Sequence, residues 1–159
     1  MPTMRVHDDI EDLRFLLGTW RGTGEGVYPT IEPFAYTEEV TLTAGPGKPF
    51  VVYGQRTWRA GTEEPLHSET GYIRGSGSES VELVIAQPTG IVEVHTGVLL
   101  GTSLVFEGSA ITTATARPVS ATRREIDVDG DVLQYHLSME AVEQPLQLHL
   151  SASLRRVAD

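Results

Sequence analysis

The sequence predicts an all-β fold: a closed, up-and-down antiparallel β-barrel of about ten strands with a short N-terminal helix. Three observations carry that expectation. After Gly18, Thr, Val, Tyr and Ile recur in short runs punctuated by Gly, Pro and Asp, the composition of strands and tight turns. The runs stand at near-regular spacing with connections too short for crossover helices, so neighbouring strands must be antiparallel. Closing the sheet then removes the exposed edges it would otherwise present. The length of 159 residues suits a single domain over 1–159, large enough to bury a core.

The helix comes first, over about 8–17. Asp8 caps it with Glu11 three residues on, Ile10, Leu13 and Leu17 share one face, and Gly18 is placed to end it. The barrel occupies about 19–156, in segments 19–27, 34–43, 49–59, 66–75, 80–88, 91–99, 103–109, 112–116, 119–128, 132–142 and 146–156. The two short segments around 103–116 are open to reading as one irregular hairpin. Asp129-Gly130 is the clearest turn, where a primed hairpin needs positive φ. In 133–141, Leu133, Tyr135, Leu137, Met139 and Ala141 share the face expected to point inward, and His136 falls on the solvent face. In the first strand Gly18, Trp20, Gly22, Gly24 and Gly26 have one parity, so one face has almost no side chains. Such a face permits sharp coiling for barrel closure, or the close approach of a bulky group.

Composition removes whole classes of function. With 22 acidic and 12 basic residues the net charge is −10, which repels phosphate backbones and anionic lipid, so neither nucleic acid nor membrane is expected as a partner. The absence of cysteine excludes disulfides, thiolate catalysis, iron–sulfur clusters and thiolate-ligated haem. No apolar signal core or span-length run is present, and a soluble cytoplasmic protein is the expectation. Gly22-Thr23-Gly24-Glu25-Gly26 does not open a helix and carries an acid where a dinucleotide phosphate would sit, so it is no nucleotide loop. A homodimer through an outer barrel face is allowed, although no residue specifies it.

Histidines and carboxylates remain for metal chemistry, and His149 stands out as a potential metal ligand inside the closing strand. Strict alternation puts it with Gln147, Ser151 and Ser153, opposite the more apolar Leu146, Leu148, Leu150, Ala152 and Leu154. Either a wide barrel accepts small polar residues inside, which Ser151 and Ser153 favour, or a β-bulge resets the parity. His67 could orient a turn, bond a neighbouring carboxylate or face a ligand. His95, flanked by Glu93 and Thr96, is expected on an exposed strand face, and His7 is expected to be solvated ahead of the helix cap. No two histidines have the spacing of a structural zinc site.

Gly18-Thr19-Trp20-Arg21-Gly22-Thr23-Gly24 matches the GxWxGxG signature of the nitrobindins, with Tyr28-Pro29-Thr30-Ile31-Glu32-Pro33-Phe34 following it. Gly47-Lys48-Pro49-Phe50, the block 65–74, Ala86-Gln87-Pro88-Thr89-Gly90 and 145–150 also resemble nitrobindin blocks in the same order. The resemblance covers about residues 10–156. It implies a barrel shaped like the fatty-acid-binding proteins that holds haem b in its mouth, with His149 as axial ligand of the iron and Thr30 beside the haem. It further implies a ferric iron that isomerises peroxynitrite to nitrate and binds nitric oxide. The turn Thr43-Ala44-Gly45-Pro46-Gly47-Lys48 departs from the family pattern, which often has a histidine there, and is expected to leave the haem more exposed. The alternative is a non-catalytic carrier or sensor of haem, nitric oxide or a fatty-acid-like ligand, with Tyr53 or Tyr135 meeting a carboxylate.

Overall fold

A computed structural model describes residues 5–158. Asp8–Leu16 forms a 3-10 helix whose buried side chains, Ile10, Leu13 and Leu16, are three residues apart. At three residues per turn these eclipse into one stripe, which is why Leu16, and not the Leu17 expected from α-helical spacing, reaches the core. The cap differs too: His7 is the N-cap, its Nδ1 accepting from the Asp9 backbone N–H at 3.1 Å. Leu17 closes the helix by donating its N–H to the Arg14 carbonyl, and Gly18 starts the first strand at φ +138°.

Ten strands follow: β1 Gly18–Tyr28, β2 Ile31–Ala44, β3 Phe50–Arg59, β4 Pro65–Gly75, β5 Ser80–Ala86, β6 Ile91–Leu100, β7 Ser103–Thr112, β8 Val119–Asp129, β9 Val132–Ala141 and β10 Gln147–Arg156. Each pairs with its sequence neighbour, and β1 pairs with β10 to close the barrel. The expected segment 112–116 is not a strand: β7 runs unbroken to Thr112 and the chain then turns towards β8. The β8–β9 turn is Gly130-Asp131, one residue later than expected, because Asp129 still pairs with Val132 and Gly130 supplies the positive φ.

Successive hairpins alternate between the two ends, and the helix closes one of them. Ile10, Leu13 and Leu16 pack there with Trp20, Val51, Leu104, Phe106 and Leu154. Trp20 donates Nε1–H to the Leu16 carbonyl at 2.9 Å, while the Arg156 guanidinium lies 4.2 Å over its ring and bonds the Phe15 and Leu17 carbonyls. Thus Trp20 of the signature, with Arg156 of β10, anchors the helix. The 45–49 turn belongs to this closed end, with the Pro49 carbonyl accepting from Gly75 N–H. It therefore neither covers nor uncovers the open mouth, contrary to the expected effect of its altered sequence.

The glycine face of β1 points inward, and the bulky groups approaching it belong to the protein itself. A Cβ on Gly24 would lie 2.3 Å from the Tyr36 ring, one on Gly26 2.2 Å from Phe34, and one on Gly22 2.1 Å from the Ser153 carbonyl. At Gly22 the obstacle is backbone, which cannot swing aside. Gly22→Ala is expected to destabilise the protein by about 2 kcal/mol or more, an overpacking cost readable as a lower denaturant midpoint with unchanged slope.

Candidate functional site

The open half of the barrel encloses a cavity of about 940 Å³. Its walls are apolar towards the mouth, with Tyr28, Ile31, Phe34, Val119, Leu137 and Met139 among the lining side chains. Thr30, in the β1–β2 turn, lies exposed at the rim. His149 and Leu150 line the cavity as consecutive residues. That requires a break in alternation, and the β9–β10 register supplies it by shifting between Leu148 and Leu150. The parity of His149 is thus explained by a β-bulge. The other explanation fails because Ser151 and Ser153 face outward, paired with His136 and Gln134, while Ala152 and Leu154 face the core. The more apolar face of β10 is inward only beyond the bulge; Leu146 and Leu148 are exposed.

The imidazole of His149 is held at two points. Nδ1 lies 3.0 Å from the Val27 carbonyl, and the ring meets Tyr28 edge-on with centroids 5.5 Å apart. A carbonyl can only accept, so the neutral ring carries its proton on Nδ1 and its lone pair on Nε2. Burial lowers the histidine's pKa against the raising effect of the Val27 bond, with His67 adding to the lowering. The neutral form, with its Nε2 lone pair, is therefore favoured at neutral pH. A neutral imidazole donor in an apolar-walled cavity of this size fits an iron porphyrin.

Beneath the apolar walls lies a polar floor. Arg124 donates to both oxygens of Glu69 (2.7 and 3.2 Å) and both oxygens of Glu93 (3.0 and 2.6 Å). Gln87 donates to Glu93 at 2.7 Å, Thr122 donates to it at 2.6 Å, and His95 Nε2 lies 3.1 Å from it. Tyr53 donates to Glu69 at 2.7 Å, and His67 Nε2 lies 3.2 Å from the same carboxylate. Burial alone would raise both carboxyl pKa values, but Arg124 and the hydrogen bonds outweigh it and hold both groups ionised. Glu38 has only neutral direct partners, Gln55 at 2.6 Å and Tyr135 at 2.8 Å, with Tyr36 completing the chain 2.7 Å from Tyr135. Burial raises its pKa from 4.5 to about 7 against those two bonds.

Sequence reading missed this floor. His95, expected outside, is 2% exposed, whereas Val94 beside it is 51% exposed. In β6 the side chains Glu93 and His95 face in and Val92, Val94 and Val98 face out. His67 both bonds a carboxylate and lines the cavity, and His136 is on the outer surface as expected. Gly22 and Gly24 shape the wall without lining the cavity. A readable signal existed: Glu38 shares its parity with Tyr36, Val40 and Leu42, and Arg124 with Ile126 and Val128. A lone charge on an apolar strand face marks a buried, paired group.

Residues 9–156 match the family described as "THAP4-like, heme-binding beta-barrel domain". The chain is 48% identical over 156 residues to "Peroxynitrite isomerase 2" of Mycobacterium marinum (strain ATCC BAA-535 / M), covering 95% of this chain and 96% of that one. It is 45% identical over 160 residues to "Peroxynitrite isomerase" of Nocardia farcinica (strain IFM 10152), covering 98% and 95%. Among solved structures, that of Rv2717c from M. tuberculosis superposes with a TM-score of 0.90 at 44% identity, over 97% of this chain and 100% of that one. A phycobiliprotein lyase from Guillardia theta shares the fold alone, at TM-score 0.65 and 10% identity. A closed ten-stranded barrel, a cavity lined by an imidazole and a family match over nearly its whole length place this chain in the THAP4-like haem-binding β-barrel family.

Proposed function

We propose that this protein holds haem b through His149, isomerises peroxynitrite to nitrate and binds nitric oxide. The observation that carries the proposal is the His149 Nδ1 contact with the Val27 carbonyl, which leaves Nε2 of a cavity-lining imidazole as a lone-pair donor. The names of the relatives that are 45–48% identical support the reaction. Bound ferric haem would supply a Lewis-acidic iron that a small anion can reach.

The chain's own residues provide the rest. Val27 fixes the tautomer of His149, as a second partner does for metal-binding imidazoles generally. Thr30 stands at the rim as a residue that would contact the group, and the walls of Ile31, Phe34, Leu137 and Met139 exclude water. Glu69 and Glu93 outnumber Arg124, so the floor holds net negative charge and turns an anionic reactant towards the mouth. Peroxynitrite and nitrate have the same atoms and charge, so the reaction needs no net proton transfer and no protein acid.

The floor itself offers no free group to a fatty-acid carboxylate. A ligand carboxylate that reached it would find Arg124 engaged by two bidentate pairs, and the exposed Arg117 lines the cavity outside this network. The hydroxyls of Tyr53 and Tyr135 are likewise donated to protein carboxyls.

His149→Ala is expected to lose the Soret shift on hemin titration and the acceleration of peroxynitrite decay with nitrate as product, followed by stopped flow. A variant retaining both would sink the assignment; wild-type protein that takes up hemin without accelerating the decay would leave a haem carrier or nitric oxide sensor. Glu38 makes a separate prediction. Between pH 4.5 and about 7 the unfolded chain has lost the Glu38 proton and the folded protein has kept it. Stability therefore falls with rising pH through that window, by roughly 3 kcal/mol at about 1.4 kcal/mol per pH unit, and this contribution is level above it. Glu38→Gln removes this component, so the stability difference between variant and parent, from urea titrations at several pH values, should change across the same window.

A further inference from the structure

Where His149 sits, the backbone ladders run out. The β1–β10 pairing ends at Gly26 and Leu150, β10 is bulged against β9 at His149, and β1 shifts register against β2 between Gly26 and Tyr28. Val27 and Tyr28, the two residues that hold the imidazole, thus lie beyond the regular sheet. What fixes them is the Tyr28 side chain. Its hydroxyl accepts from the Ala141 backbone N–H at 3.1 Å and donates to the Met139 carbonyl at 2.9 Å, with the Ala141 carbonyl at 3.3 Å. The phenol therefore reaches from β1 to β9 across the start of β10. It is 7% exposed and packs with Val119 and Ala141, a cluster separate from the main core.

The β9 end it grips leads directly into Val142 and Glu143, at φ 46° and 64°. Both occupy the left-handed region that β-branched and long side chains avoid. This is the turn that delivers the chain into β10 and the bulge. One side chain thus ties together the carbonyl that orients His149, the ring against which His149 packs and the strand end from which His149 is reached.

We propose that Tyr28 is the positioning residue for the His149 imidazole, setting its tautomer and ring plane and thereby the strength of haem binding. The inference rests on His149 being the haem ligand for its consequence, but the contact itself is testable without haem. Tyr28→Phe keeps the edge-on ring and removes the hydroxyl bonds to β9; Tyr28→Leu removes both.

The first measurement is nitrogen NMR of the histidine-labelled haem-free protein. Wild type should show a single His149 tautomer protonated at Nδ1, Tyr28→Leu a tautomer mixture, and Tyr28→Phe an intermediate pattern. The second is hemin titration followed at the Soret band. Tyr28→Leu should bind at least roughly tenfold more weakly, the scale of losing an outer partner of a metal-ligating histidine, and Tyr28→Phe should show a clear, intermediate loss. If both variants fold and show the wild-type tautomer and hemin affinity, with only a lower melting temperature, Tyr28 is a structural strut and the proposal is overturned. If Tyr28→Leu does not fold, Tyr28→Phe alone decides, with unchanged tautomer and affinity counting against. Should His149→Ala bind hemin as wild type does, the ligand assignment falls, while the haem-free NMR still decides whether Tyr28 sets the imidazole.

Discussion

Ten strands close into a cylinder wider than its wall side chains can fill, and the rest of the molecule is arranged around that surplus interior. The N-terminal helix takes up one end, where its three-residue spacing delivers a narrow stripe of Ile10, Leu13 and Leu16 into the core. The signature tryptophan and Arg156 fasten that helix to the barrel, and the inward glycines let Phe34 and Tyr36 lie flat against β1. The other end is left open as the cavity. Family signature and cavity are therefore linked indirectly: the motif builds the vessel, and a different strand brings His149 to its cavity.

Between core and cavity lies the charged floor, and its stoichiometry matters. Burying any of Glu69, Glu93 or Arg124 singly would cost several kcal/mol, so the three are sustainable only as a set. Fourfold donation by one guanidinium, supplemented by Tyr53, Gln87 and Thr122, satisfies the carboxylates in place. The guanidinium and both carboxylates of this network are fully engaged, while the buried His95 Nδ1 and Gln55 Oε1 beside them have no partner among the described residues. A ligand carboxylate that reached the floor would meet charge already engaged by protein groups, whereas Arg117 lines the cavity outside that network.

The strand count, the barrel and the interior face of β9 were legible because Leu133, Leu137 and Ala141 follow simple alternation. The helix was legible in position but not in type, because Leu16 and Leu17 are both apolar and only packing chooses between periods of three and 3.6. β6 read backwards for a physical reason. Its outward valines suit strand geometry wherever they point, while Glu93 and His95 are affordable inside only because Arg124 and Thr122 wait on β8. No property of β6 alone contains that information.

The bulge at His149 was legible only as the less favoured of two explanations, since a strand carries no composition mark for one extra residue. Its effects are nonetheless coherent. Without it, the alternation of Leu150, Ala152 and Leu154 would turn His149 to the outside; with it, His149 and Leu150 both reach the cavity. The Val27 carbonyl, beyond the end of the β1–β10 ladder, then takes its hydrogen bond from the imidazole. The same local irregularity that brings the histidine inside thus also supplies the acceptor that fixes its tautomer. Placement and tautomer of the imidazole are one structural feature, an irregularity that alternation along the strand could raise only as an alternative.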